Sequence, residues 1–115
     1  LKQKDISILF LTTALFQKIA RDVPQAFSTL KYLLFGGETI DTRWVKKVIQ
    51  NKAPQQLIHV YGPTENTTFS SYYPIHELPL ATSIPIGRPI SNTQIYILDT
   101  HLQPVPIGVV GEIYI

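Results

Sequence analysis

Three short apolar runs constrain the fold more than any other feature of this chain. They are Ile6-Ser7-Ile8-Leu9-Phe10-Leu11, Tyr32-Leu33-Leu34-Phe35 and Leu57-Ile58-His59-Val60-Tyr61, and they recur about 25 residues apart. Each has the length of a buried strand, and the segments between them carry helical periodicity. After the first run, Thr12-Thr13 mark a helix start, the pairs Leu15/Ile19 and Phe16/Ala20 repeat at i, i+4, and Pro24 ends the helix. After the second, Gly36-Gly37-Glu38 lead to a helix capped by Asp41. Its apolar face carries Trp44, Val45, Val48 and Ile49, its polar face Arg43, Lys46, Lys47 and Gln50, and Asn51 and Pro54 close it. Strands joined through helices favour parallel pairing with right-handed crossovers. The predicted fold class is α/β, with a parallel βαβ core.

Beyond residue 70 the pattern changes. Prolines at 74, 79, 85, 89, 104 and 106 interrupt the chain, and Thr93-Gln94-Ile95-Tyr96-Ile97-Leu98 reads as irregular β structure. Residues 1–70 therefore form a βαβ part and residues 71–115 a β-rich part of one domain. With 44% hydrophobic and 16% charged residues the chain suits a packed interior. It opens at Leu1 in an amphipathic stretch and stops within the strand-like Gly111-Glu112-Ile113-Tyr114-Ile115, which reads as an internal piece of a larger domain. A net charge of +2 without a basic block disfavours nucleic acid. The lack of cysteine removes disulfides and thiolate metal sites. No apolar run reaches the roughly 20 residues of a membrane span, so the default expectation is a cytoplasmic protein.

In a parallel sheet, ligands bind beyond the carboxyl ends of the strands, where loops gather and helix N-termini expose N–H groups. Three segments qualify: Thr12-Thr13, Gly36-Gly37-Glu38 and Gly62-Pro63-Thr64-Glu65. Gly36 and Gly37 suit a positive-φ turn or a backbone approached closely by a ligand. Pro63 suits a first helical position, Thr64 offers a hydroxyl, and Glu65 offers a carboxylate for a hard cation such as Mg2+. Tyr61 has a ring for a planar ligand. Taken singly, a tight turn, a capped acidic helix start and ordinary strand-end packing explain the same residues. His59, His76 and His101 have no metal-ligand spacing.

Four motifs in order carry a family resemblance. Val60-Tyr61-Gly62-Pro63-Thr64-Glu65-Asn66-Thr67-Thr68 resembles the "YGPTE" core of adenylate-forming enzymes. Leu33-Leu34-Phe35-Gly36-Gly37-Glu38 resembles their glycine-rich strand end. The run Ile86-Gly87-Arg88-Pro89-Ile90-Ser91-Asn92-Thr93-Gln94-Ile95-Tyr96-Ile97-Leu98-Asp99 resembles their "IGRPI-NT-YVLD" segment, and residues 108–115 their "GEL" segment. The Asn92-to-Asp99 form resembles amino-acid-activating domains of nonribosomal peptide synthetases more than acyl- or aryl-CoA synthetases.

The resemblance implies aminoacyl-AMP formation from an amino acid and Mg-ATP, then transfer to the phosphopantetheine thiol of a carrier domain, with a condensation domain as a further partner. It assigns Gly36, Gly37, Glu38, His59, Val60, Tyr61, Gly62 and Thr64 to the nucleotide, Thr64 and Glu65 to the reaction, and Glu65 to Mg2+. His59 departs from the asparagine common in relatives. Phe10, Leu34, Gly36, Val60, Thr68 and Phe69 are assigned to the amino-acid pocket. That mostly apolar set would leave a charged substrate side chain buried unpaired, so a branched aliphatic amino acid is expected. The family's phosphate loop, ammonium-binding aspartate and catalytic lysine fall outside these residues, so the 115 residues alone are expected to be inactive. The alternatives are an acyl/aryl-CoA synthetase fragment and a non-catalytic nucleotide-binding homologue.

Overall fold

The computed structural model describes residues 5–77 and 83–115. The helix-linked half follows the expected succession. Strand β1 is Ile8–Thr12, helix α1 Thr13–Asp22, β2 Tyr32–Gly36, α2 Thr42–Gln50 and β3 Gln56–Tyr61. A 3-10 turn at Pro24–Phe27 follows α1, which ends ahead of the proline ring because the ring supplies no N–H to continue it. Thr12 and Asp41 cap the two helices by accepting from the N–H groups of Leu15 and Arg43. β1, β2 and β3 pair in parallel, with Phe10, Leu34 and Ile58 in one register row and Thr12, Gly36 and Val60 in another.

One face of this sheet is covered by the helices. Leu11, Leu33, Phe35 and Leu57 meet Phe16, Ala20, Val45 and Val48 there in a single apolar cluster. Phe16 stacks on Phe35 at 4.2 Å and on Phe27 at 5.8 Å. Among the described residues the opposite face carries no helix. The first apolar run, expected as a buried strand, is instead an edge strand: Ile8 is 62% and Phe10 45% exposed. Among the described residues it has a neighbouring strand on one side only and helices on one face only, so half of its side chains face away from the helices.

The β-rich half extends the same sheet before leaving it. β4, Ser71–Pro74, and β5, Arg88–Pro89, add antiparallel strands in the order β1-β2-β3-β4-β5. β6, Tyr96–Leu98, and β7, Glu112–Tyr114, form a separate antiparallel pair. Asp99 organises the connection between them by accepting from the N–H groups of His101 and Gln103. The chain break read at Pro79 and the amphipathic start at Leu1 lie outside the described residues.

Candidate functional site

Because β1, β2 and β3 run in parallel side by side, the segments after them share one rim of the sheet. At that rim lies a cavity of about 360 Å3, within the range of small-molecule sites. Gly37, Glu38, Thr39 and Ile40 line it from the β2–α2 loop, His59, Val60 and Tyr61 from the end of β3, and Ser83, Ile84 and Ile86 from the segment before β5. Five of the residues assigned to the nucleotide, Gly37, Glu38, His59, Val60 and Tyr61, are thus brought together.

The glycines of the rim have separate causes. Gly37 has φ +107°, a left-handed conformation that side-chain-bearing residues rarely adopt. Gly36 is buried where β2 and β3 approach, and a Cβ there would fall on the Val60 carbonyl. Its necessity comes from the neighbouring strand. Gly62 is packed in the same way against the backbone of residues 68–70.

His59 is buried at the cavity wall, 5.3 Å from the Phe35 ring. Its Nδ1 lies 3.0 Å from the Pro85 carbonyl, which can only accept, so Nδ1 carries the proton. Ser71 Oγ donates to the Ile86 carbonyl at 2.7 Å. These two bonds, with Ile84 anchored in the core, fold residues 84–86 back over the end of β3. Ile40, Ile84 and Ile86 give the cavity an apolar wall that sequence reasoning did not assign. The signal was weak: the short run between Ser83 and Gly87 gives no period from which to read a facing side.

Thr64 and Glu65 lie in a 3-10 turn, Thr64–Asn66, and both are exposed. The expected helix start is therefore a single turn. Pro63 occupies its cap position with ψ 156°, not its first helical position, and β4 returns antiparallel immediately afterwards. Neither Thr64, Glu65 nor Gly62 lines the cavity; they flank it beyond Tyr61. The turn ends in two residues with positive φ, Thr67 at +46° and Thr68 at +74°. Asn66 Nδ2 donates to Ser70 Oγ at 2.6 Å and Ser70 N–H to the Tyr61 carbonyl at 2.8 Å, tying the loop back to β3. Among the described residues no group of three or more His, Cys, Asp or Glu side chains is placed to hold a metal by itself. A metal at Glu65 would take its other ligands from substrate and water, the mode that suits Mg2+.

Of the residues assigned to the amino acid, only Val60 also lines the cavity. Phe10 and Leu34 are register partners, as are Gly36 and Val60, and all four positions belong to the sheet face opposite the helices. Phe69 meets Phe10 edge-on with ring centroids 5.0 Å apart. Thr68 is exposed beside Phe69. The cavity-lining residues assigned to the nucleotide and the residues assigned to the amino acid therefore lie on two sides of one strand end, with Gly36 and Val60, assigned to both, between them.

Comparison with known proteins gives the chain a family. The family model of the AMP-binding enzymes matches residues 1–115. The chain is 43% identical over 114 residues to surfactin synthase subunit 1 of Bacillus subtilis, covering 98% of this chain and 3% of that protein. PA1221, described as an NRPS protein containing adenylation and PCP domains and solved with a vinylsulfonamide inhibitor, is similar with a TM-score of 0.90 and 29% identity. The match covers 97% of this chain and 20% of that one. The N-terminal subdomain of Klebsiella oxytoca NpsA shares the fold, with a TM-score of 0.87 at 23% identity over 96% of this chain and 27% of that chain. The chain belongs to the AMP-binding enzymes, and among them it matches the adenylation-domain segment of nonribosomal peptide synthetases.

Proposed function

We propose that this chain forms one wall of the active site of an amino-acid-activating adenylation domain in a nonribosomal peptide synthetase. The observation that carries the reading is the convergence of loop 36–40 and the end of β3 on one cavity, with an apolar wall on the other side of the same strand ends. The nucleotide base lies against Tyr61 and the isoleucines, and Gly37 and Glu38 close over it from the β2 side. Thr64 donates its hydroxyl to a phosphate oxygen, and Glu65 holds Mg2+, which when bound neutralises charge on the polyphosphate. The amino acid sits against Phe10, Leu34, Gly36, Val60, Thr68 and Phe69.

In that arrangement the substrate carboxylate attacks the α-phosphorus of ATP, pyrophosphate leaves, and aminoacyl-AMP remains bound. The wall contributes by fixing both reactants at one strand end, so that their approach costs little further entropy. The acyl group then passes to the phosphopantetheine thiol of a carrier domain, with AMP as the leaving group. The adenylation and PCP domains named for PA1221 support a carrier partner, and a condensation domain completes the peptide-forming unit.

The substrate side chain is a branched aliphatic one. Apolar rings and methyl groups favour it, whereas a carboxylate or ammonium there would lose its hydration without a partner. Discrimination among Ile, Val and Leu is modest, since one methylene is worth about 1–3 kcal/mol. An amino-acid-dependent ATP–pyrophosphate exchange panel on the synthetase tests the reading. Highest exchange with Ile, Val or Leu is the expected result, and higher exchange with Lys, Asp or Gly overturns the substrate choice.

A further inference from the structure

Thr13 is the first residue of α1 and is 1% exposed, so its hydroxyl must find partners inside the protein. It finds both in one residue of another loop. Thr13 Oγ1 donates to the Glu38 carbonyl at 3.0 Å and accepts from the Glu38 N–H at 3.3 Å. A single side chain thus satisfies both peptide groups of a residue 25 positions away, and that residue lines the cavity.

The loop has little else to hold it. Gly36 and Ile40 are buried at its two ends, while Gly37, Glu38 and Thr39 between them are exposed. Around Gly37 there is open space where a side chain would be. Among the described residues, no other hydrogen bond from residues 37–39 to a different element accompanies the two from Thr13. We infer that Thr13 is a positioning residue: acting through the Glu38 peptide, it holds loop 37–39 in the shape that receives the nucleotide. The inference rests on the adenylation reading above.

The chemistry separates positioning from mere packing. Valine matches threonine in shape but has no hydroxyl, so the Glu38 N–H and carbonyl lose their partner, and because Glu38 sits in an exposed loop the peptide can turn to meet water. The protein stays folded and the loop gains freedom. Serine keeps the hydroxyl and loses only a methyl group.

The test is ATP–pyrophosphate exchange by the synthetase carrying Thr13→Val or Thr13→Ser, with amide hydrogen exchange at Glu38. Thr13→Val is expected to raise the KM for ATP about five- to tenfold, the scale of one neutral hydrogen bond. The KM for the amino acid stays within about twofold of wild type, and Thr13→Ser restores ATP binding. The Glu38 amide, protected in wild type, exchanges fast in the valine variant. An unchanged KM for ATP in Thr13→Val, equal rises in both KM values, or a serine variant as impaired as the valine one would overturn the proposal. Wild-type protein that supports no exchange with any amino acid overturns the adenylation reading instead, and Glu38 amide protection then decides the clamp by itself.

Discussion

Gly36 shows how tightly single positions are determined here. A methyl group at this position would meet the Val60 carbonyl, which is fixed in the β2–β3 ladder and cannot swing aside. Gly36→Ala is expected to cost about 1–3 kcal/mol, the usual penalty of overpacking, and to abolish pyrophosphate exchange by pushing the strand ends apart. Urea denaturation and the exchange assay read the two effects separately. Thr67 is the opposite case, a β-branched residue at φ +46° where asparagine is tolerated better. Thr67→Asn should raise stability by about 1 kcal/mol, and an unfolding midpoint that does not rise would show that the loop is unstrained. Much of this residue-scale detail was hidden in the sequence. That Gly37, Glu38 and Tyr61 share one rim was legible, because each stands at or just after a strand end of a parallel sheet. Thr13 was not, because a threonine at a helix start looks like any cap until its partner 25 residues away is known. Ile84 and Ile86 were hidden because nothing local says which way an irregular segment faces.

At the scale of elements, the helices were the easiest to read, since period and cap agreed. Phe16 lies fully buried between Phe27 and Phe35. Phe16→Ala should cost about 3–5 kcal/mol, measured by denaturant unfolding. The cap of α2 adds a pH signature. Asp41 accepts from the Arg43 side chain and backbone, and these bonds hold its carboxyl below the usual carboxylate range. A depressed folded-state value stabilises above the unfolded value of about 3.9 and ceases to do so as pH falls through the folded value. The melting temperature of Asp41→Ala should therefore lie below wild type at neutral pH, and the gap should narrow below about pH 4. Two elements were misjudged. β1 read as buried because hydrophobicity cannot reveal whether a strand has one neighbour or two. The turn after β3 read as a helix start because Pro63, Thr64 and Glu65 suit either, and the antiparallel return of β4 decides against it.

At the scale of the whole molecule, the chain is more open than its length requires. Its radius of gyration is 15.7 Å where a compact domain of this length has about 13 Å. Its accessible surface is 8146 Å2 where about 6,300 Å2 is usual for this mass. Part of the excess is apolar: Ile107 and Val110 are almost fully exposed, and Val109 and Tyr114 are partly so. The isolated 115 residues should self-associate, and Ile107→Lys with Val110→Lys should reduce this in light scattering. Sequence reading reached the α/β class through spacing, and an internal piece of a larger domain is expected to leave apolar faces uncovered, but the separate β6–β7 pair was not legible in the irregular second half. The period of two along β2 has one last consequence. Phe35 faces the helices while Leu34 faces the other side, so deleting one residue at the strand's centre would turn every side chain beyond the deletion to the opposite face. Exchanging the side chain at Leu34 alters one face and leaves the alternation intact, while an odd change of strand length exchanges the two faces over every residue beyond it.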